Sequence, residues 1–347
     1  MSKSTLFSWI KQHQKRILFW MRLLIAVVLM VFVISLVIAD RDELSDVNWT
    51  LVPLAWFLML ISTGVKAFRW GLLVRQSQMD IPYRRLVGTY LVGAFFSTVL
   101  PTSVGGDAVR AVDTAVWTGR KADSTSSVLI ERGIGLLAVI GSGSIFALFL
   151  KSGTVPLPFV LLVHAMFVGG IVGIIVLRQG WLIEPFSHLM QRLGMGKIEG
   201  KVSHMQDALS GHLGQWRVLG QMLVLSLIAN TLTMSATYLV LTAVTDSIPV
   251  VSFVPMISLI TTAELIPISI AALGVKESAY IYFLGLVDVN SAAAGVIAII
   301  MRVLTWGLAL LGGMVFLSRT VKASKATKAT QAANAANTAN TTPVEQG

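Results

Sequence analysis

The sequence predicts an all-α polytopic membrane protein, with about six full transmembrane helices and two re-entrant or broken helical hairpins in an inverted pseudo-repeat. Three observations carry this. The 347 residues are 55% hydrophobic and only 13% charged, whereas soluble domains carry about 25% charged residues. The apolar residues fall in long unbroken blocks that lack a polar face, so the solvent around them is lipid. Two segments interrupted by Gly or Pro occupy corresponding places in the two halves of the chain, the pattern of a midplane transport site.

The first span is read at 17–39, behind a basic leader over 1–16 that contains Lys3, Lys11, Lys15 and Arg16. Its apolar run from Leu23 to Ala39 exceeds the about 7–15 residues of a signal-peptide core and ends without an A-x-A-like site. It is therefore expected to be retained. The acidic loop that follows, with Asp40, Asp42, Glu43 and Asp46, suits the outer side. The second span runs from about Leu51 to Val74 and returns to Arg75, Arg84 and Arg85, a cytoplasmic boundary by the positive-inside rule.

The next apolar stretch, Leu86 to Leu100, has 15 residues, short of the about 20 that a span needs. It ends in Pro101-Thr102-Ser103-Val104-Gly105-Gly106-Asp107. If this stretch crossed the membrane, Arg120-Lys121 and the later basic segment would lie outside. If it dips in and returns, both lie inside. The charge rule selects the second arrangement, a hairpin entering from the cytoplasm with the glycines at its tip. Spans at Val128–Leu150 and Pro158–Leu177 complete a first half, 17–177, and a cytoplasmic amphipathic linker is read over 178–217.

The second half, 218–317, opens with a span from Val218 to Val244 and closes with one from Ala293 to Leu317. Between them lie the apolar run Val251–Ile270, the turn Ala271-Ala272-Leu273-Gly274-Val275-Lys276-Glu277, and a run of about ten apolar residues too short to span. This is read as a second hairpin, entering from outside. Leu100-Pro101-Thr102-Ser103 matches Ile266-Pro267-Ile268-Ser269 at the two tips, and each tip is followed by a cation, Arg110 or Lys276. Residues 318–347 are rich in Lys, Ala, Thr and Asn and are read as a disordered cytoplasmic tail.

The net charge of +10 does not point to nucleic acid, because the cations sit between hydrophobic spans where membrane topology requires them. There is no Cys, which removes thiolate nucleophiles and thiolate metal sites. His188, His204 and His212 are widely spaced and form no H-E-x-x-H pattern. No metal and no cofactor are expected, and no Walker A motif is present.

The candidate site comes from ionisable residues inside the apolar segments, each of which costs about 2.5–3.5 kcal/mol at the bilayer centre. Lys66 and Arg69 lie one turn apart on the second span, placed either to snorkel to the interface or to line a site. Gly105 and Gly106 permit a tight turn. Asp107 would then cap a helix start, and Arg110 one turn later would favour a lipid phosphate. Glu131 and Arg132 are adjacent and point about 100° apart, so they pair with other helices. Glu264 lies within an apolar run. Arg302 is midway along the last span, where Glu264 or Glu277 could pair with it and Trp306 could stack on it. The competing reading of these charges is a set of structural intramembrane salt bridges.

Taken in order, Phe68-Arg69-Trp70, the block Val104-Gly105-Gly106-Asp107-Ala108-Val109-Arg110, Glu131-Arg132, the block Gly274-Val275-Lys276-Glu277, and Arg302 resemble the lysylphosphatidylglycerol synthase transmembrane (flippase-like) family. The resemblance implies a domain that moves phospholipid between leaflets. In bifunctional members a separate cytosolic domain makes the aminoacylated lipid, and that aminoacyl-transferase domain is not expected here. The second tip departs from the family in carrying Ile268-Ser269-Ile270-Ala271-Ala272 in place of a more Gly-rich stretch.

Together these readings lead to an expected translocator of a phospholipid or lipid-linked precursor in a bacterial cytoplasmic (inner) membrane, with both termini cytoplasmic. The expected substrate-binding residues are Arg69, Gly105, Gly106, Asp107, Arg110, Glu131, Arg132, Glu264, Lys276, Glu277 and Arg302. Their mixture of both signs suits a zwitterionic head group. The alternatives are a membrane-embedded enzyme of phospholipid metabolism and a non-transporting partner of a lipid synthase. The chain's lack of Cys makes the topology testable. A single Lys121→Cys is expected to react with an impermeant thiol reagent only from the cytoplasmic side, and labelling from outside would overturn the first hairpin.

Overall fold

A computed structural model describes residues 46–100, 104–151, 153–179, 209–265 and 270–340, together with 21, 24, 27–35 and 38. The described structure is helical throughout, without strands. Residues 27–35 are helical, but most of the expected first span lies outside the described residues. So do the tips 101–103 and 266–269, with Pro101 and Pro267, and most of the 178–217 linker.

Numbered from the first helix described in full, the elements are α1 (Leu51–Gln76), α2 (Tyr83–Val99), α3 (Gly105–Thr118), α4 (Lys121–Ala147), α5 (Leu157–Gln179), α6 (Trp216–Val244), α7 (Val250–Ala263), α8 (Val275–Gly285) and α9 (Ser291–Asn340). Of these, α1, α4, α5, α6 and the Ser291–Val321 part of α9 are long and apolar enough to cross a membrane. At about 1.5 Å per residue, α2 and α3 reach about 25 and 21 Å, less than the about 30 Å hydrocarbon core. The chain is a multi-pass membrane protein. Its most peripheral span, α5, buries only Val163 and presents the rest of an apolar surface outward, which only lipid can solvate.

The short helices pair into two hairpins that enter from opposite ends of the bundle. The first limb α2 runs antiparallel to α9. Gly88 lies beside Arg319, the Leu91 carbonyl beside Gly312, and Phe95 beside Gly313. The open end of this hairpin therefore sits with Gln76 and Arg319. Its return limb α3 comes back to the same end, where Trp117 donates to the Asp80 carbonyl at 3.4 Å and Arg120 to that of Ser77. The second hairpin, α7 and α8, opens at the other end. There the Asn48 amide bonds the Ala243 carbonyl at 2.7 Å, and α8 leads directly into Ser291. Its inner end meets the middle of α9, where Arg302 bonds Glu277. The described inner ends of the two hairpins thus come together, with Ser97 and Thr98 of the first and Leu265 and Ala271 of the second lining one cavity, as an inverted pseudo-repeat requires.

Close backbone approach explains two glycines. A Cβ on Gly106 would collide with the Gly93 carbonyl and the Ser97 hydroxyl, and one on Gly312 with the Leu91 carbonyl. Gly105 and Gly106 are buried inside the first turn of α3. They do not form a left-handed turn, since the positive-φ glycines of the described chain are Gly119, Gly153 and Gly274. The turn role assigned to the pair is therefore replaced by limb-to-limb packing.

The last helix also differs from expectation. Its backbone stays helical to Asn340, so Leu317 ends the apolar span and not the helix. The alanine-rich composition beyond it explains this, because Ala has the highest helix propensity.

If α2 packs on α9 through these glycines, Gly312→Ala should cost about 1–3 kcal/mol of stability by overpacking. Gly220→Ala on α6, where a Cβ meets nothing within 4 Å, should be neutral or stabilising. Thermal unfolding of both variants in detergent checks this, and an unchanged midpoint for Gly312→Ala would contradict the packing.

Candidate functional site

At the inner end of the first hairpin a single carboxylate ties three helices together. Glu131 on α4 is 1% exposed. One oxygen accepts from Arg69 on α1, and the other from both terminal nitrogens of Arg110 on α3, at 3.1 Å each. Arg69 also donates to the Ser226 hydroxyl at 2.6 Å and to the Glu131 carbonyl at 3.3 Å. The Arg110 guanidinium lies over the Trp70 ring at 4.5 Å and the Tyr90 ring at 4.1 Å. In a desolvated setting each such cation–π contact stabilises by up to about 2 kcal/mol.

The chain of charges then turns outward. Asp107 accepts from Arg110 at 3.2 Å and also pairs with Arg132. Asp107 sits in the first turn of α3 as the sequence implied, but its carboxylate caps no backbone N–H. It serves the two arginines, because the start of α3 faces α4. Glu131 and Arg132 pair with other helices, as their 100° offset requires.

The second hairpin builds a matching arrangement. Glu277 on α8 is fully buried and accepts from Arg302 Nε at 2.6 Å. Its other oxygen accepts from the Gly274 amide at 2.8 Å, closing the start of α8. The terminal nitrogens of Arg302 donate to the Ala271 and Ala272 carbonyls at 3.3 and 3.1 Å. Those alanines hold φ of 51° and 54°, a left-handed conformation that costs an L-residue about 1–2 kcal/mol. Arg302 thus turns to Glu277 and the tip carbonyls, and Trp306 lies on the cavity wall nearby. Glu264 pairs with Lys276 at 2.9 Å.

A cavity of about 520 Å³ lies at the described inner ends of the two hairpins, lined by Arg132, Glu264, Lys276, Arg302 and Trp306 among others. A smaller chamber of about 210 Å³ is lined by Lys66, Arg69, Tyr90, Asp107, Arg110 and Glu131. Arg132 and Leu136 line both, so the two chambers adjoin. The expected site residues divide by exposure. The side chains of Arg132, Glu264, Asp107 and Lys276 are 30%, 31%, 17% and 16% exposed and face the cavity. Arg69, Arg110, Glu131 and Glu277 are buried and act as a brace behind it. Gly105 and Gly106 pack between the hairpin limbs.

Sequence reasoning missed Trp70 and Tyr90, which cradle Arg110, and Thr233, which accepts from Lys66 at 3.2 Å. Lys66 does not snorkel: it lines the smaller chamber. Also missed was a clamp at the hairpin's open end, where Asp113 pairs with Arg85 at 3.0 Å and with Arg319 at 3.2 Å. The signal was present, since Asp113 follows Arg110 by three residues in the same short limb. His212 is buried against Ser77 and Ser126, while His188 and His204 lie outside the described residues.

A family profile described as the lysylphosphatidylglycerol synthase TM region matches residues 19–313. No curated protein and no solved structure matches the chain.

The exposure difference between brace and cavity wall has a measurable consequence. Glu131→Gln removes the carboxylate paired with buried Arg69 and one of the two paired with Arg110, and breaking such a buried pair costs about 3–5 kcal/mol. Arg132→Gln should cost much less, because Arg132 reaches the open cavity. Unfolding midpoints in detergent should separate the two variants, and equal losses would contradict the division.

Proposed function

Since the chain belongs to the lysylphosphatidylglycerol synthase TM region family, we propose that it moves a phospholipid or lipid-linked precursor between membrane leaflets, with the head group held between the two hairpin tips. The observation that carries this reading is the pair of adjoining charged chambers at the inner ends of two oppositely directed short hairpins. That is the geometry of alternating access around a midplane site. Arg132 and Lys276 are the cations placed to touch a phosphate, and Arg132 supplies the two-pronged contact. Glu264 beside Lys276 offers an acceptor for a donor group on the head group. The membrane is a bacterial cytoplasmic one in this reading, with both termini on the cytoplasmic side.

An enzyme would need a free base or nucleophile beside the phosphate. Asp107 is shared by Arg110 and Arg132, and Glu264 is paired with Lys276, which argues against that alternative. A regulatory partner of a lipid synthase would not need a charged cavity of this volume.

Reconstitution into liposomes with a fluorescent phospholipid tests the proposal. The lipid is expected to change leaflet while staying chemically intact. Removing a charge-assisted contact worth about 1.5–3 kcal/mol should slow movement by about 10- to 100-fold in Arg132→Ala and Lys276→Ala. Chemical conversion of the lipid, or no movement above protein-free liposomes, would overturn the translocation reading.

A further inference from the structure

The cavity and its brace hold more cations than carboxylates. Among the described residues, Lys66, Arg69, Arg110, Arg132, Lys276 and Arg302 bring six positive charges, against four negative ones on Asp107, Glu131, Glu264 and Glu277. The pairings show where the excess sits. Arg302 is matched by Glu277, and Lys276 by Glu264. Three guanidinium groups, Arg69, Arg110 and Arg132, share two carboxylates. Lys66 makes its hydrogen bond to the neutral Thr233 hydroxyl. Donor capacity is also left over, because the Nε atoms of Arg69 and Arg110 are buried with no acceptor.

The backbone does not cancel this excess. The inner ends of the hairpins carry two helix N-termini, of α3 and α8, and two C-termini, of α2 and α7, whose dipoles are of opposite sign and equal in number. A formal surplus of positive charge near the middle of a membrane is costly, and an anion bound there relieves it. Arginine forks match phosphate geometry. A phosphomonoester carries about −1.5 to −2 at neutral pH and presents three acceptor oxygens.

We propose that the head group taken by this cavity is dianionic, a lipid phosphomonoester or diphosphate, in preference to the zwitterionic head group that the bare residue list suggests. The inference rests on the translocation reading for its substrate, but the anion site itself can be tested apart from transport. The phosphate would sit at Arg132, which lines both chambers, with Lys66 in the smaller one and Lys276 in the larger. Trp306, on the wall of the larger chamber and 42% exposed, leaves a route for the lipid tail towards the bilayer.

Two measurements test this. In proteoliposomes at about pH 7, where a phosphomonoester carries about −1.5 to −2, three labelled lipids with identical tails are compared. Phosphatidate should cross at least about tenfold faster than phosphatidylcholine, a difference of about 1.4 kcal/mol, with phosphatidylglycerol between them. Lys66→Gln should shrink the advantage of phosphatidate over phosphatidylglycerol. Phosphatidylcholine crossing as fast as phosphatidate would overturn the inference and leave translocation standing. Separately, inorganic pyrophosphate should raise the unfolding temperature of the detergent-purified protein, and the rise should vanish in Lys66→Gln and Arg132→Gln. If pyrophosphate binds and no lipid moves, the translocation reading fails and the anion site stands. If pyrophosphate gives no shift, the dianion site is refuted.

Discussion

The pairing of Glu131 with Arg69 and Arg110 is the constraint on which the rest of the structure depends. A half-crossing hairpin cannot satisfy its own inner end in lipid, because its last carbonyls, first amides and tip side chains all need partners. Glu131 supplies the central one. It sits on a full span, α4, and draws in one cation from another full span, α1, and one from the return limb α3. The hairpin is thereby fixed to helices that do cross. The link is reinforced from the aromatic side, where Trp70 and Tyr90 flank the Arg110 guanidinium. Gly93 leaves room for the aliphatic stem of the same arginine, since a Cβ there would meet its Cγ and Cδ at 2.7 Å. The position of Asp107 and Arg132 at the cavity edge follows from this anchor.

The second hairpin solves the same problem with different parts. Its central acid, Glu277, lies on the hairpin itself, and the cation, Arg302, lies on the full span α9. The roles of acid and base are thus exchanged between the two halves. Among the described residues no aromatic ring stacks on Arg302 as Trp70 and Tyr90 do on Arg110. Backbone carbonyls of Ala271 and Ala272 take that place, held in left-handed conformations. The resemblance noted in the sequence leads one to expect glycines in this tip, and the alanines bear the strain glycine would avoid. The strain, about 1–2 kcal/mol per residue, is of the same order as the charge-assisted hydrogen bonds it permits, about 1.5–3 kcal/mol each.

The depth of each element was legible in the sequence. Hydropathy located four of the five described full spans to within about four residues at each end. The exception is α4, which begins at Lys121, seven residues before the expected Val128, because the polar stretch ahead of it is also helical. The shortness of Leu86–Leu100 marked the first hairpin. The opposed entry of the two hairpins followed from where the basic loops fall. Pairing was not legible, because it depends on how each helix is rotated about its own axis. Arg69 and Glu131 are 62 positions apart, and hydropathy says nothing about which faces of α1 and α4 meet. The same gap hid Thr233 as the acceptor for Lys66, and so hid the surplus of positive charge that a list of residues does not show. Gly105 and Gly106 were placed correctly along the chain but misread in role. A glycine pair beside a proline suggests a turn, whereas what α3 needs is a smooth face against Gly93 and Ser97.

The last helix joins both hairpins, through ties of unequal strength. Near its middle Arg302 meets Glu277, whose side chain is fully buried. Towards its basic end Arg319 meets Asp113 and Thr89 on the first hairpin, with Arg319 and Asp113 28% and 26% exposed. Breaking a buried pair by losing one partner costs about 3–5 kcal/mol, whereas an exposed pair is worth about 0–1 kcal/mol. The second hairpin is therefore held firmly to α9 at the level of the cavity. The first is tied to α1 and α4 through Glu131, and to α9 through the close approach of Leu91 to Gly312 more than through its open-end ion pair. The second also packs on α4, where the Ser258 hydroxyl donates to the Val139 carbonyl at 2.8 Å. Both hairpins therefore bridge α4 and α9, and the cavity at their inner ends is walled by parts fixed to the same two spans.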